Sequence, residues 1–443
     1  MSSDILIIGA GPAGLAAATA AADAGLQIDI IDDNFMSGGQ IWRGGAQQQR
    51  DPRALAMWQK LTNNNHVRFH FQSKVVHASK KNAEYEFIVE TQAASQAGTQ
   101  SHILTAKKII LCTGARELLL PFPGWTLPGV TGAGGLQALA KAGYPVAGKR
   151  IIVAGTGPLL LAVAASLIER GAQVTHILEQ TTFSQLGKFG LGLLATPSKI
   201  TQAIGLWRSL RSVAYHSNSY VEAAVGNDKI NGVRVNIQGE QRELPCDLLA
   251  CGYGLIPNID IAAALGCELE HDANSETDYA CVKVNEWQMT SLDGIYCAGE
   301  GTGVGGVDLA LAEGSIAGYA ASNQTIQNIP AEHCFGERDS WKNFAQRLHR
   351  HFALRKELRQ LAQADTIVCR CEDVSFSQLQ QYRDWRDAKL HTRCGMGACQ
   401  GRICGAANRF LFSWEKDVGR LPLSSAKISS LLVLNAEQQT PAD

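Results

Sequence analysis

Residues 4–33 read DILIIGAGPAGLAAATAAADAGLQIDIIDD, and the order of residue types in this stretch decides the fold. The uncharged run Ile5–Ile8 is a buried strand and Gly9-Ala10-Gly11-Pro12-Ala13-Gly14 a tight turn. The alanine-rich segment to Ala24 is a helix stopped by Gly25, and Ile28–Ile31 is a second, parallel strand. Gly9 permits the sharp turn, Gly11 lets the backbone approach a pyrophosphate, and Gly14 lets helix and strand pack closely. The helix N-terminus offers partial positive charge to the phosphates. Asp32, eighteen residues past Gly14, ends the second strand, where a carboxylate accepts hydrogen bonds from ribose hydroxyls. A glycine-rich turn alone occurs in many α/β proteins; strand, turn, helix, strand and acid in this order point to a dinucleotide.

Residues 150–179, RIIVAGTGPLLLAVAASLIERGAQVTHILE, repeat the pattern, with Gly155 standing for Gly9. Two nucleotide-type folds therefore share the chain. The second turn, Gly155-Thr156-Gly157-Pro158-Leu159-Leu160, lacks the third glycine, although Glu179 stands where the ribose acid belongs. It reads either as an NAD site, NADP being disfavoured because no Arg follows the acid, or as a scaffold that binds nothing. The first theme returns at Cys246–Pro257 and Leu292–Ser322, which predicts a discontinuous first domain (1–118 and 247–330) with the second (119–246) inserted. Composition shifts again from residue 331, marking a C-terminal region over 331–443.

The 443 residues are 45% hydrophobic, enough to bury more than one core. Their 40 basic and 41 acidic side chains lack the cationic footprint of a nucleic-acid partner. Ile5–Ala22 and Ile151–Ile168 each run eighteen residues without a charge, but the Gly-x-Gly-Pro inside each reads as strand, turn and buried helix, so no transmembrane segment is expected. Met1-Ser2-Ser3-Asp4 supplies no cationic start to an export signal. Seven scattered cysteines (Cys112, Cys246, Cys251, Cys267, Cys281, Cys297 and Cys334) suit buried thiols in a reducing cytoplasm.

The other five, Cys369, Cys371, Cys394, Cys399 and Cys404, fall within 36 residues. Four thiolates converging from two short glycine-containing loops suit a [2Fe-2S] cluster or a zinc ion. The Cys-x-Cys spacing leans towards iron–sulfur, since structural zinc loops usually have roughly two to four intervening residues. Ser375 and Gln378 form a capping-box pattern, so a helix should start after the first pair with its dipole towards an anionic cluster. Upstream, residues 339–361 carry apolar side chains at Trp341, Phe344, Leu348 and Phe352, which predicts an amphipathic helix leading into the cluster. Its Lys342, Arg347, Arg350, Arg355, Lys356 and Arg359 form either a solvated face or a partner's docking surface.

Leu111-Cys112-Thr113-Gly114-Ala115, Ile295-Tyr296-Cys297-Ala298-Gly299-Glu300 and Gly38-Gly39-Gln40 resemble the later signatures and the flavin-side loop of two-dinucleotide-binding-domain flavoproteins. That resemblance implies FAD, held by Gly9, Gly11, Pro12, Ala13, Gly14, Asp32, Asp33, Gly39, Gln40, Val76, Thr113, Gly114, Ala115, Gly299 and Glu300. The family usually has Asp where Glu300 stands, with its carboxylate on the ribityl chain. Residues 33–111 contain no cysteine and the second domain no Cys-x2-Cys, which speaks against disulfide reduction.

The cysteine segment, 365–410, resembles the domain of bacterioferritin-associated ferredoxin. It is more similar to the Cys-Arg-Cys-Glu and Gly-Met-Gly-x-Cys-Gln-Gly-Arg-x-Cys version found in two-component amine oxidoreductases. That resemblance assigns the cluster to Cys369, Cys371, Cys399 and Cys404 and leaves open an exchange of Cys394 for Cys399. As a whole the chain resembles the alpha (A) subunits of opine oxidase, D-hydroxyproline dehydrogenase and hydrogen cyanide synthase, relatives of the longer sarcosine oxidase alpha subunit. The implied protein is α/β, with two Rossmann-like domains and a small α-rich [2Fe-2S] domain. Its implied role is electron transfer from a D-amino-acid-oxidase-like FAD subunit in a heteromer, with an FMN at the subunit junction. Two further readings stand beside it: a self-contained NADH-dependent ferredoxin-type reductase, and a non-catalytic structural subunit.

Overall fold

The computed structural model describes residues 2–49, 51–81, 84–92, 99–271, 279–323, 331–418 and 420–438. The opening stretch folds as its pattern dictates. The strand β1 (Ser2–Ile8) leads through the glycine turn into α1 (Pro12–Ala21) and returns as β2 (Ile28–Ile31), parallel to β1. After α2 (Gly45–Gln48) and α3 (Pro52–Thr62), β3 (Val67–His70) extends the parallel edge beside β2. The strands β4 (Ser73–Lys81), β5 (Glu84–Gln92) and β6 (Thr99–Leu111) form an antiparallel meander. β6 belongs to both regimes, pairing antiparallel with β5 over Thr99–Ala106 and parallel with β1 over Thr105–Leu111. Ile5, Ile7, Ile28 and Ile30 of the sheet and Leu15 of α1 are fully buried, each contributing roughly 1.5–3 kcal/mol.

The chain leaves through β7 (Ala115–Glu117) and builds a second parallel layer from β8 (Val130–Gly132), α4 (Ala133–Lys141), β9 (Arg150–Gly155), α5 (Leu159–Ile168) and β10 (Gln173–Glu179). Two helices follow, α6 (Phe183–Gly192) and α7 (Pro197–Ser209), then the edge strand β11 (Ala214–His216). The antiparallel strands β12 (Ser219–Gly226), β13 (Ile230–Ile237) and β14 (Glu240–Pro245) form a separate sheet. The domain boundary expected at residue 247 is corrected here. β15 (Leu248–Gly252) lies between β9 and β8 in the second sheet, whose order is β11-β10-β9-β15-β8. Return to the first domain begins only at β16 (Leu255–Pro257), paired with β7.

Helix α8 (Asp260–Leu265) and the hairpin β17 (Leu269–His271) and β18 (Ala280–Val282) lead to β19 (Ile295–Cys297), which completes the first sheet beside β6. The helix α9 (Val307–Ala321) then packs on α1 so closely that a Cβ on Gly314 or Gly318 would overlap the carbonyl oxygen of Ala13 or Ala17. The expected boundary at residue 330 lies outside the described residues.

The long helix α10 (Ala331–His351) ends earlier than the apolar pattern predicted, and Phe352–Arg355 continue without helical structure. A small unit follows: β20 (Ile367–Cys369), β21 (Val374–Ser375), α11 (Phe376–Leu379), α12 (Trp385–Thr392) and α13 (Cys404–Phe412), around a core of Val368, Val374, Leu379, Trp385 and Ala407. The tail carries α14 (Ile428–Gln438) back onto the first domain, where Leu423 enters the core beside Val75 and Ala78. None of the described helices is long and apolar enough to cross a membrane.

Candidate nucleotide site and cysteine pocket

The first glycine turn is built for a ligand at one position and for the fold at two others. Gly9 has φ +108°, and a Cβ there would overlap the carbonyl oxygen of Cys112. A Cβ on Gly14 would overlap the carbonyl oxygen of Gly9. Gly11 has only the Cα of Gly39, at 3.9 Å, near its missing side chain, so its outward face is open. Pro12 sits in the first turn of α1 and no side chain caps that helix start, leaving its N–H groups to an anion. Gly39 lies against Gly11, and Gly38 N–H donates to Ala10 O at 2.8 Å, so the two loops expected to share the ligand do meet. Ala13 faces Gly299, and Gln40 is exposed at the rim.

Six expected contact residues have partners within the chain. Asp32 is buried, accepting from Ala10 N at 2.6 Å and Asn34 N at 2.8 Å. It therefore organises the turn, while desolvation and the neighbouring Asp32 charge raise the pKa of Asp33 beside it. Glu300 accepts from Gly305 N at 3.1 Å and Gly306 N at 3.0 Å, shaping the loop that opens α9. Desolvation pushes its carboxyl up to about 7 against the pull of those two bonds. Val76 is fully buried and its carbonyl accepts from Leu423 N at 2.9 Å, so the C-terminal tail covers that carbonyl. Thr113 donates to Asn258 O at 2.6 Å, Gly114 accepts from Asn258 N, and Ala115 pairs with Pro257. Sequence reasoning missed Glu313, which is fully buried under the site and accepts from Gly299 N at 2.9 Å and Thr302 Oγ1 at 2.7 Å.

The second turn is covered by the chain itself. Thr156 Oγ1 donates to Phe352 O at 3.0 Å, and Gln180 Nε2 donates to Ala353 O at 2.8 Å. Arg355 N donates back to Gln180 Oε1 at 2.9 Å, and the Phe352 ring packs on Phe189 at 4.9 Å. Glu179 is buried with its oxygens on Gly157 N (2.7 Å) and Thr181 N (2.9 Å), and burial pushes its carboxyl up to about 7. The residues that would hold a second dinucleotide are thus engaged internally.

All five clustered cysteines come together. Cys369, Cys394 and Cys404 are buried with their sulfurs within 4.8 Å of one another. Cys399 contacts both Cys404 and Cys371, and Cys371 is the exposed member. Cys394 therefore belongs to the pocket as fully as Cys399, and Asn408 Nδ2 donates to its sulfur at 3.5 Å. Hydrogen bonds from neighbouring thiols lower the pKa of Cys369 and Cys399 and raise that of Cys404, so the pocket favours thiolates at some positions. Close approach needs glycine: a Cβ on Gly397 would overlap that of Cys371. The capping box at Ser375 and Gln378 is present, but its helix is a single turn. The helix that starts at the thiols is instead α13, with no side-chain cap at its N-terminus. Thiolate chemistry and burial fit a metal or iron–sulfur centre, and the uncapped helix start suits the net negative charge of a thiolate-ligated one.

Pocket and nucleotide turn are joined by residues the motifs did not mark. Arg116 Nε donates to Arg402 O at 3.0 Å, and its Nη1 donates to Asn258 Oδ1 at 2.8 Å. Arg402 lies between Cys399 and Cys404, and Asn258 holds Thr113, so Arg116 links the thiol segment to the Thr113 loop. Arg402 could have been suspected from its place in the motif, whereas Arg116 had no local signal. The upstream cations are largely structural: Lys342 faces Glu313 at 3.7 Å, Arg347 donates to Thr196, and Arg355 donates to Asn218.

Residues 3–321 match the family described as pyridine nucleotide-disulphide oxidoreductase. Hydrogen cyanide synthase subunit HcnB of Pseudomonas aeruginosa is 31% identical over 431 residues, covering 90% of each chain. The A-subunit of opine oxidase from Agrobacterium tumefaciens is 29% identical, covering 96% of this chain and 89% of its own. The alpha subunit of sarcosine oxidase from Corynebacterium sp. is 26% identical over 74% of this chain but 34% of its own length. Among solved structures, L-proline dehydrogenase of P. horikoshii superposes with a TM-score of 0.69 at 20% identity, over 97% of this chain and 79% of that one. The open glycine turn, the doubled fold and these matches place the chain in the pyridine nucleotide-disulphide oxidoreductase family, as an oxidoreductase related to HcnB and to the opine oxidase A-subunit.

Proposed function

We propose that this chain is the FAD- and [2Fe-2S]-containing electron-transfer subunit of a heteromeric amine or amino-acid dehydrogenase or oxidase. Its partner on this reading is a D-amino-acid-oxidase-like FAD subunit, with an FMN at the junction. The observation that supports the reading is the hydrogen-bonded link from the Thr113 loop, beside the open glycine turn, through Asn258 and Arg116 to Arg402 in the five-thiol segment. When bound, a flavin accepts two electrons at once, whereas a [2Fe-2S] centre handles them singly.

The chain's own residues do the holding. Gly9 and Asp32 fix the turn, the start of α1 meets the phosphates, and Glu300 and Glu313 shape the loop after β19. Cys369, Cys371, Cys399 and Cys404 hold the cluster, with Cys394 the candidate replacement for Cys399. The covered second turn speaks against the rival reading of an NADH-dependent reductase.

Incubated alone with amino acids, imino acids and opines under a dye-linked assay, the chain is expected to give no turnover. Turnover by the isolated chain would overturn the proposal.

A further inference from the structure

Large apolar side chains are concentrated at the surface of the α6–α7 segment. Phe183 is 80% exposed, Leu191 71%, Leu194 70%, and Ile204 and Trp207 50% each. Single exposed apolar residues are ordinary, but five large ones within 25 residues mark a face that another molecule covers. Gly187, Gly190 and Gly205 add open space beside them. Charge narrows the choice. Residues 180–221 contain no Asp or Glu, although the chain has 41, and they carry Lys188, Lys199, Arg208 and Arg211. Lys199 is committed to Asp308 at 2.9 Å. The other three cations show no ion pair among the described residues. An apolar face studded with unopposed cations fits an apolar partner face rimmed with carboxylates.

Position supplies the second argument. Asp308 stands in the first turn of α9, immediately after the loop shaped by Glu300, and it also binds Arg53 at 2.8 Å. Lys199 thus ties α7 to the rim of the nucleotide site. On α10, Lys342 approaches Glu313 at 3.7 Å, and Phe344 packs on Phe189 of α6 at 6.2 Å. A protein seated on α6–α7 would lie beside the Glu300 loop. We infer that the α6–α7 face docks the amine-oxidising subunit through an apolar surface bordered by acidic side chains. The inference rests on the electron-transfer reading and names where that partner binds.

The test uses the full chain, tagged and purified from its native cells, with the co-purified flavin subunit identified by its spectrum and by amine turnover. Leu191→Asp and Trp207→Asp are expected to lower co-purification of that partner at least tenfold, with melting temperature and iron content unchanged. Leu139→Asp, on the exposed side of α4, is expected to leave recovery intact. In the wild-type complex, amides of 183–209 should exchange more slowly than in the isolated chain. Undiminished recovery with both variants would overturn the docking site alone. Absence of any amine-oxidising subunit from the wild-type preparation would overturn the electron-transfer reading and the docking site together. Doubling of the isolated chain's mass by light scattering, or its binding to phosphatidylglycerol vesicles, would likewise overturn the inference if either effect vanished in the two variants.

Discussion

Gly9, Gly11 and Gly14 occupy one turn but answer to different constraints, so substitutions at them should separate binding from folding. Gly11→Ala places a methyl group in open space and is expected to leave stability within about 0.5 kcal/mol while weakening nucleotide binding at least tenfold. Gly14→Ala drives a methyl into the carbonyl of Gly9 and should cost about 1–3 kcal/mol. Urea unfolding and bound-nucleotide content, measured together, check both outcomes. The steric demands at Gly9 and Gly14 were legible because the spacing of the motif encodes them. The fate of Asp32 was not, because the same carboxylate that suits a ribose also suits a free amide in its own turn.

Glu179 gives a prediction in pH. Burial raises its carboxyl from near 4.5 to about 7, so the folded protein holds that proton more tightly than the unfolded chain. Its contribution to stability is complete below about pH 4.5 and is lost as pH rises through 7. Glu179→Gln keeps one acceptor for Gly157 or Thr181 and removes the titration. Between pH 5 and pH 8 the wild type is expected to lose on the order of 1–3 kcal/mol more than the variant, measured by urea midpoints.

At the scale of elements, the clearest departure is the end of α10. Apolar spacing through Trp341, Phe344, Leu348 and Phe352 is sound helical periodicity, and Phe352 does reach the cluster around Phe189 and Phe344. The helix nevertheless stops at His351, because the carbonyls of Phe352 and Ala353 accept from Thr156 and Gln180. Periodicity reports which side chains are buried, not which backbone groups a distant turn will claim. Similarly, the apolar run Leu248–Gly252 announces a buried strand, but it could not say which of two equivalent sheets receives it. Phe352→Ala is expected to cost about 3–5 kcal/mol in urea unfolding without creating tight NADH binding, since the backbone carbonyls of residues 352 and 353 still accept from Thr156 and Gln180. Micromolar NADH affinity in that variant, by calorimetry, would show that the Phe352 ring alone keeps the nucleotide out.

For the whole molecule, sequence periodicity and motif order suffice to place two dinucleotide folds and a cysteine unit along the chain. Their connection required three dimensions: Arg116, Asn258 and Arg402 are distant in sequence, and only Arg402 falls inside a quoted motif. The tail adds a second tie, since Arg402 donates to Leu423 O at 2.6 Å and Leu423 N donates to Val76 O at 2.9 Å. The cysteine unit is thereby fastened to the nucleotide domain from both sides. The central claim is that this joined pair of centres relays electrons delivered by another subunit and does not draw them from NADH. The most direct measurement is to purify the full chain anaerobically, record its visible and electron paramagnetic resonance spectra, and add NADH. The account predicts flavin and [2Fe-2S] signals, the latter seen on dithionite reduction, with both centres left oxidised by NADH. Reduction of both by NADH at a catalytic rate would contradict it.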